Sequence, residues 1–76
     1  MSIGSEFREA IDEIDEAIID LIAERYDQVA GIQIWKKENN IPSRDLNREQ
    51  DIRDKYIEAF GEEDGTRIAN ALLGVV

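Results

Sequence analysis

The sequence predicts an all-α fold, with one long N-terminal helix followed by two shorter helices, and three observations support this. Apolar residues recur in steps of three and four over most of the first 38 residues, which is the period of an amphipathic helix. Two further stretches with the same period follow, each preceded by residues that commonly begin helices. The alternation of apolar and polar residues that marks a half-buried strand occurs nowhere in the 76 residues.

The first helix is predicted to span residues 7–38 and has an apolar seam on its N-terminal half. The seam consists of Phe7, Ile11, Ile14, Ile18 and Leu21. A helix of about 32 residues is about 48 Å long, whereas a compact chain of this size has a radius of gyration of about 11 Å. The chain cannot enclose such a helix. The seam therefore predicts pairing with a second copy, because a two-fold contact needs only one self-complementary surface.

The seam becomes polar in the C-terminal half of this helix. Its next positions are Arg25, Gln28, Ile32 and Trp35, with Lys36 beside them. Eleven residues separate Arg25 from Lys36, a step that lies within about 20° of whole helical turns. Both cations are therefore predicted to project from one face, about 16 Å apart along the axis.

The predicted ends of the first helix depend on capping residues. Ser5 is the expected N-cap, with glutamates after it in the first turn. Asn39-Asn40 and then Pro42 are predicted to end the helix, since the residue before a proline avoids the helical conformation. Residues 1–6 form an arm that an expression vector could have encoded, because Gly4 to Phe7 matches the translation of two common cloning sites.

The second helix is predicted to begin at Asp45 or Asn47 and to end at Gly61. Asn47 and Gln50 have the spacing of a capping box. Its apolar stripe consists of Leu46, Ile52, Tyr56 and Phe60.

Residues 62–65 are predicted to form a turn, after which Thr66 caps a third helix that continues to Val76. The buried side of this helix is predicted to contain Ile68, Ala69, Leu72 and Leu73.

Composition excludes several classes of function. The net charge of −9 argues against binding to nucleic acid or to an anionic membrane surface, because both depend on lysine and arginine. The chain has no cysteine and no histidine, so disulfides, thiolate metal sites and an imidazole base are not available. No apolar run approaches the length of a transmembrane helix. We expect a single cytoplasmic domain over residues 1–76, with no metal site.

Four basic residues, Arg8, Arg25, Lys36 and Arg48, are candidates for a binding site. A short connection around Pro42 would fold the second helix back, bringing Arg48 towards Lys36. Arg8 lies about 25 Å from Arg25 along the helix, so it could join them only from another subunit. The predicted pocket walls are Val29, Ile32 and Leu73. Converging cations in an acidic protein suit a small dicarboxylate. For each cation alone, a solvated surface position is the simpler interpretation.

Three stretches of the sequence and one lysine match a known family. They are FREAIDEID at residues 7–15, IIDLIAER at 18–25, Lys36, and IPSRDLNREQ at 41–50. Over residues 7–73 the chain resembles the all-helical class of chorismate mutases. The resemblance implies an intertwined homodimer with two active sites, each completed by the other subunit. It also implies the intramolecular Claisen rearrangement of chorismate to prephenate, without a cofactor, in phenylalanine and tyrosine biosynthesis.

The resemblance also implies roles for individual residues. Arg25 and Arg8 of the partner subunit would bind the two carboxylates, and Lys36 would donate a hydrogen bond to the ether oxygen. Glu49 and the backbone near Asp45 would bind the ring hydroxyl, and Arg48 would complete the polar wall.

The C-terminal region departs from the better-studied members. Their third helix continues to a glutamine that also donates to the ether oxygen, and the present sequence ends about one turn before that position. Residues 61–76 resemble a short actinobacterial subclass, whose members are activated by docking on 3-deoxy-D-arabino-heptulosonate-7-phosphate synthase. This synthase is therefore an expected partner.

Other functions suit the same residues. An isochorismate pyruvate lyase or an aminodeoxychorismate mutase would use the same cations. A dimerisation or regulatory module could bind an aromatic-pathway metabolite without converting it, and an acidic helical dimer with no ligand is the plainest alternative.

Overall fold

The computed structural model describes residues 3–74, and all regular secondary structure in that range is α-helical. The helices are α1 (Ile3–Glu38), α2 (Leu46–Phe60) and α3 (Glu62–Leu73). The predicted class and the number of helices are confirmed. The chain divides between Asn39 and Asn40 into two compact units, one built on α1 and the other on α2 and α3.

Helix α1 begins at Ile3, four residues before the predicted start. The prediction that Ser5 is the N-cap was therefore wrong, because Ser5 lies inside the first turns. Extending an existing helix adds one hydrogen bond for each residue that is fixed, so a helix readily continues past a serine. Glu6 lies in the first turn, where the helix dipole favours a negative charge.

The C-terminal end of α1 follows the prediction. Both the backbone N–H and the side-chain amide of Asn39 donate to the carbonyl of Trp35, at 3.1 and 2.8 Å. Asn40 then adopts a positive φ of 56°, which asparagine tolerates better than most residues. Pro42 lies in the non-helical segment that leads to α2.

The apolar seam of α1 is exposed in the single chain. The seam residues Phe7, Ile11, Ile14, Ile18 and Leu21 are 45–68% exposed. Such a continuous apolar stripe is typical of a surface that another helix covers.

Asp45 is the N-cap of α2. Its φ and ψ are extended, and its Oδ1 accepts a hydrogen bond from the backbone N–H of Arg48 at 3.1 Å. Of the two predicted starts Asp45 is confirmed, whereas Asn47 lies inside the helix and does not cap it. The predicted end at Gly61 is also confirmed.

Gly61 is the only residue between α2 and α3, and it caps both helices. Its φ of 92° favours glycine. Its N–H donates to the carbonyl of Ile57 at 2.7 Å, and its own carbonyl accepts from the N–H of Gly65 at 2.8 Å. The predicted turn at residues 62–65 and the predicted cap at Thr66 were therefore wrong. Residues 62–64 are acidic and form the first turn of α3, where negative charge is favourable.

Helices α2 and α3 pack closely at Gly65. A Cβ added to Gly65 would lie 2.5 Å from the backbone Cα and N of Ile57 and from the carbonyl oxygen of Tyr56. Gly65 and Ala69, one turn later, are the buried residues of α3. Of the predicted apolar side of α3, Ala69 is fully buried and Leu72 and Leu73 are partly buried, whereas Ile68 is exposed.

Helix α3 ends at Leu73, with Gly74 as a left-handed C-cap at φ 73°. The predicted continuation of the helix through Gly74 was wrong, because a left-handed residue ends the helical path. The predicted end at Val76 lies outside the described residues. None of the helices, over residues 3–74, combines the length and the apolar content that crossing a bilayer requires.

Gly65→Ala is expected to lower the free energy of unfolding by about 1–3 kcal/mol, because the new methyl group would displace the backbone of α2. Gly31→Ala in α1 is the matched control, since no atom other than those of its sequence neighbours and of its own helix backbone lies within 4 Å of the added Cβ. That change is expected to stabilise the helix by about 0.5–1 kcal/mol. Urea denaturation, monitored by circular dichroism, measures the free energy of unfolding of both variants. A Gly65→Ala chain as stable as Gly31→Ala would contradict the close approach.

Candidate active site

Three of the predicted cations lie on α1. Arg8 is exposed, whereas Arg25 and Lys36 are partly buried. Because α1 is continuous from Ile3 to Glu38, the predicted spacing holds, with Arg25 and Lys36 separated by about 16 Å along one face. The predicted wall residues Val29 and Ile32 lie between them on the helix and are 39% and 49% exposed.

The other predicted site residues belong to the unit of α2 and α3. Asp45 and Arg48 are both exposed, and Leu73 on α3 is partly buried. The side chain of Asp45 caps α2 by accepting from the N–H of Arg48, and its carbonyl accepts from the N–H of Glu49 at 3.0 Å. The cap therefore fixes the backbone of three predicted site residues relative to one another.

Glu49 is held by two arginines. Arg44, in the segment before α2, donates from Nε to Oε2 at 2.7 Å and from Nη2 to Oε1 at 3.1 Å. Arg53, one turn further along α2, places its Nη2 3.7 Å from Oε1. The side chain of Glu49 is only 13% exposed. A carboxylate covered to this extent requires charged or hydrogen-bonding partners, and both guanidinium groups supply them.

Arg53 also connects α2 to α3. Its Nε donates to Oδ1 of Asn70 at 2.8 Å, in a partly buried hydrogen bond. No functional role was predicted for Arg44, Arg53 or Asn70. The four-residue spacing from Glu49 to Arg53 is a recognisable helix ion-pair signal, whereas the contact with Asn70 depends on how α2 and α3 pack.

The pKa of Glu49 is lowered, chiefly by the hydrogen bonds from Arg44, and further by the positive charges of Arg44 and Arg53. Partial desolvation and the nearby Asp45 charge oppose this shift. The same contact raises the pKa of Arg44. Glu49 therefore remains ionised at neutral pH, so it can accept hydrogen bonds but cannot donate one.

No group of three or more acidic, histidine or cysteine side chains within residues 3–74 is arranged to hold a metal ion. Around Glu49, the described residues supply fixed positive charges, from Arg44 and Arg53, and a carboxylate that they orient. Such groups bind anions and orient polar ligands.

In Glu49→Gln, the melting temperature is expected to depend less on pH in the acidic range than in the wild-type protein. A carboxyl group with a lowered folded pKa stabilises the protein above its unfolded pKa of about 4.3, and this contribution is lost as the pH falls through the folded pKa. We expect the wild-type melting temperature to fall from about pH 5 downwards and the variant to fall less. Thermal denaturation at a series of pH values measures this.

Glu63→Gln is the matched control for this experiment. Glu63 also pairs with an arginine, Arg67, at 3.1 Å, but both side chains are well exposed, so the pair is screened by water. This variant should follow the wild-type acid response. If the melting temperature of Glu49→Gln fell with pH as much as that of Glu63→Gln, the stabilising contribution of ionised Glu49 would be contradicted.

Neither the curated proteins nor the solved structures gave a match. The family model for chorismate mutase type II matches residues 7–72. This span includes every predicted site residue except Leu73. The chain therefore belongs to the chorismate mutase type II family.

Proposed function

We propose that the chain is a chorismate mutase that converts chorismate to prephenate, in the cytoplasm, on the route to phenylalanine and tyrosine. The observation that carries this proposal is the family match over residues 7–72. The match covers residues 7–38 of α1, and helical geometry places Arg25 and Lys36 on one face of that helix. Membership of the family supports this type of activity.

The proposed enzyme is a homodimer. Its support is the apolar seam of α1, which is 45–68% exposed in the single chain. A helix of this length extends over about 54 Å, and a two-fold contact between two copies would cover the seam of both. In an antiparallel pair, Arg8 of the partner subunit could lie near Arg25.

The proposed reaction needs orientation more than proton transfer. A Claisen rearrangement breaks an ether C–O bond while a C–C bond forms in the same molecule, so no proton passes to the protein. Arg25 and Arg8 of the partner subunit would bind the two carboxylates and hold the compact reactive conformation. Lys36 would donate to the ether oxygen, where negative charge grows as the bond breaks.

The unit of α2 and α3 would bind the ring of the substrate. Glu49 stays ionised beside Arg44 and would accept a hydrogen bond from the ring hydroxyl. The backbone that Asp45 holds at the start of α2 would contribute to the same contact, and Arg48 would extend the polar wall.

We also propose that 3-deoxy-D-arabino-heptulosonate-7-phosphate synthase raises the activity of the chain. Measuring prephenate formation with and without the synthase tests this.

Lys36→Ala is expected to lower prephenate formation by about a hundredfold or more while the dimer persists, because Lys36 is assigned to the reacting atoms and not to the seam. Lys37→Ala is the matched control, since this exposed neighbouring lysine lies in the same last turn. Product identification after incubation with chorismate gives the activity, and sedimentation gives the mass.

The same assay, repeated with isochorismate and with aminodeoxychorismate, separates the proposed enzyme from a lyase or an aminodeoxychorismate mutase. Chorismate that binds but is not consumed would indicate a regulatory module. Full activity in Lys36→Ala would contradict the assigned role.

A further inference from the structure

Glu49 is held by two guanidinium groups in different surroundings. The side chain of Arg44 is 61% exposed and precedes α2, whereas that of Arg53 is 21% exposed and lies within α2. An exposed ion pair competes with water and salt, so its geometry is easily lost. A partly buried guanidinium that is fixed by a second partner keeps its position.

The second partner of Arg53 is Asn70 on α3. Asn70 accepts from Nε of Arg53 at 2.8 Å, and Nη2 of the same guanidinium lies 3.7 Å from Glu49. Because the guanidinium group is planar and rigid, fixing Nε also restricts the positions of its other nitrogens. The packing of α3 on α2 thereby determines where a positive charge lies beside Glu49.

The carboxylate of Glu49 retains acceptor capacity in this arrangement. A carboxylate offers about four lone-pair positions, and the two hydrogen bonds from Arg44 use one on each oxygen. Arg53 lies beyond ordinary hydrogen-bond distance from Oε1. A hydrogen-bond donor on a ligand can therefore still be accepted by Glu49.

We propose that Arg53, fixed by Asn70, is a positioning residue that orients Glu49 to select a ligand bearing a hydrogen-bond donor, such as a ring hydroxyl. This inference rests on the proposed function, which supplies the substrate, and adds to it the residues that determine the contact. A ligand carrying an ether in place of the hydroxyl would present only lone pairs to the anionic carboxylate and would be disfavoured.

The test compares two substrates in each variant: chorismate, and chorismate whose ring hydroxyl is methylated. The measured quantity is the ratio of kcat/KM between them. A general loss of structure would lower both values together and leave the ratio unchanged. Arg53→Met and Asn70→Leu are each expected to lower the ratio about tenfold. Asn70→Asp, which keeps an acceptor for Arg53, is expected to have a ratio close to that of the wild-type protein.

Two further variants act as controls. Arg67→Met removes an arginine that pairs with Glu63, also in the unit of α2 and α3, and is expected to leave the ratio unchanged. In a Glu49→Gln background, adding Arg53→Met should cause no further change, because the carboxylate that it positions is absent. An unchanged ratio in both Arg53→Met and Asn70→Leu would overturn the inference, as would an equal loss in Arg67→Met.

A titration of the Glu49 carboxyl group by NMR tests the inference without a substrate. Removing the positive charge in Arg53→Met is expected to raise the pKa of Glu49, and Arg67→Met is expected to leave it at the wild-type value. Equal pKa values in all three proteins would overturn the inference. A wild-type chain that forms no prephenate would overturn the proposed function instead, while this titration still decides the role of Arg53.

Discussion

The close contact between α2 and α3 at Gly65 is the constraint on which the geometry around Glu49 depends. A side chain at this position would meet the backbone of Ile57 at 2.5 Å, so only glycine permits the approach. With the helices this close, Nε of Arg53 donates a hydrogen bond to Oδ1 of Asn70 at 2.8 Å. Nη2 of the same arginine lies 3.7 Å from Oε1 of Glu49. The absence of a side chain at Gly65 thus allows the helix packing that places Arg53 near Glu49, a candidate binding residue.

Helix α1 imposes a different constraint. Its apolar seam is exposed, and the partly buried cations Arg25 and Lys36 follow the seam on the same helix. The apolar half suits association with a second copy, and the basic half suits a dicarboxylate. The proposed dimer would use both halves, since Arg8 on the apolar half could reach Arg25 only from another subunit. The family match includes all three cations.

Local signals in the sequence predicted the three helices, the end of α1 near Asn40 and the Asp45 cap, because periodicity and capping act over a few residues. Where a contact between helices decided the structure, prediction failed. Asp64-Gly65 is a common turn sequence, yet both residues lie inside α3. Position 65 is a glycine because a side chain there would collide with the backbone of α2. The contact of Arg53 with Asn70 joins residues 17 positions apart, and no local pattern indicates it. The predicted roles of the cations come from the family resemblance.

Complementation between two inactive variants tests the central claim of a shared site most directly. Arg8→Ala and Arg25→Ala, each inactive alone, are unfolded, mixed in equal amounts and refolded so that subunits exchange. A mixed dimer then has one site with both arginines and one with neither. About half of the dimers are mixed, so we expect about a quarter of the wild-type prephenate formation. A mixture no more active than the separate variants would contradict the account.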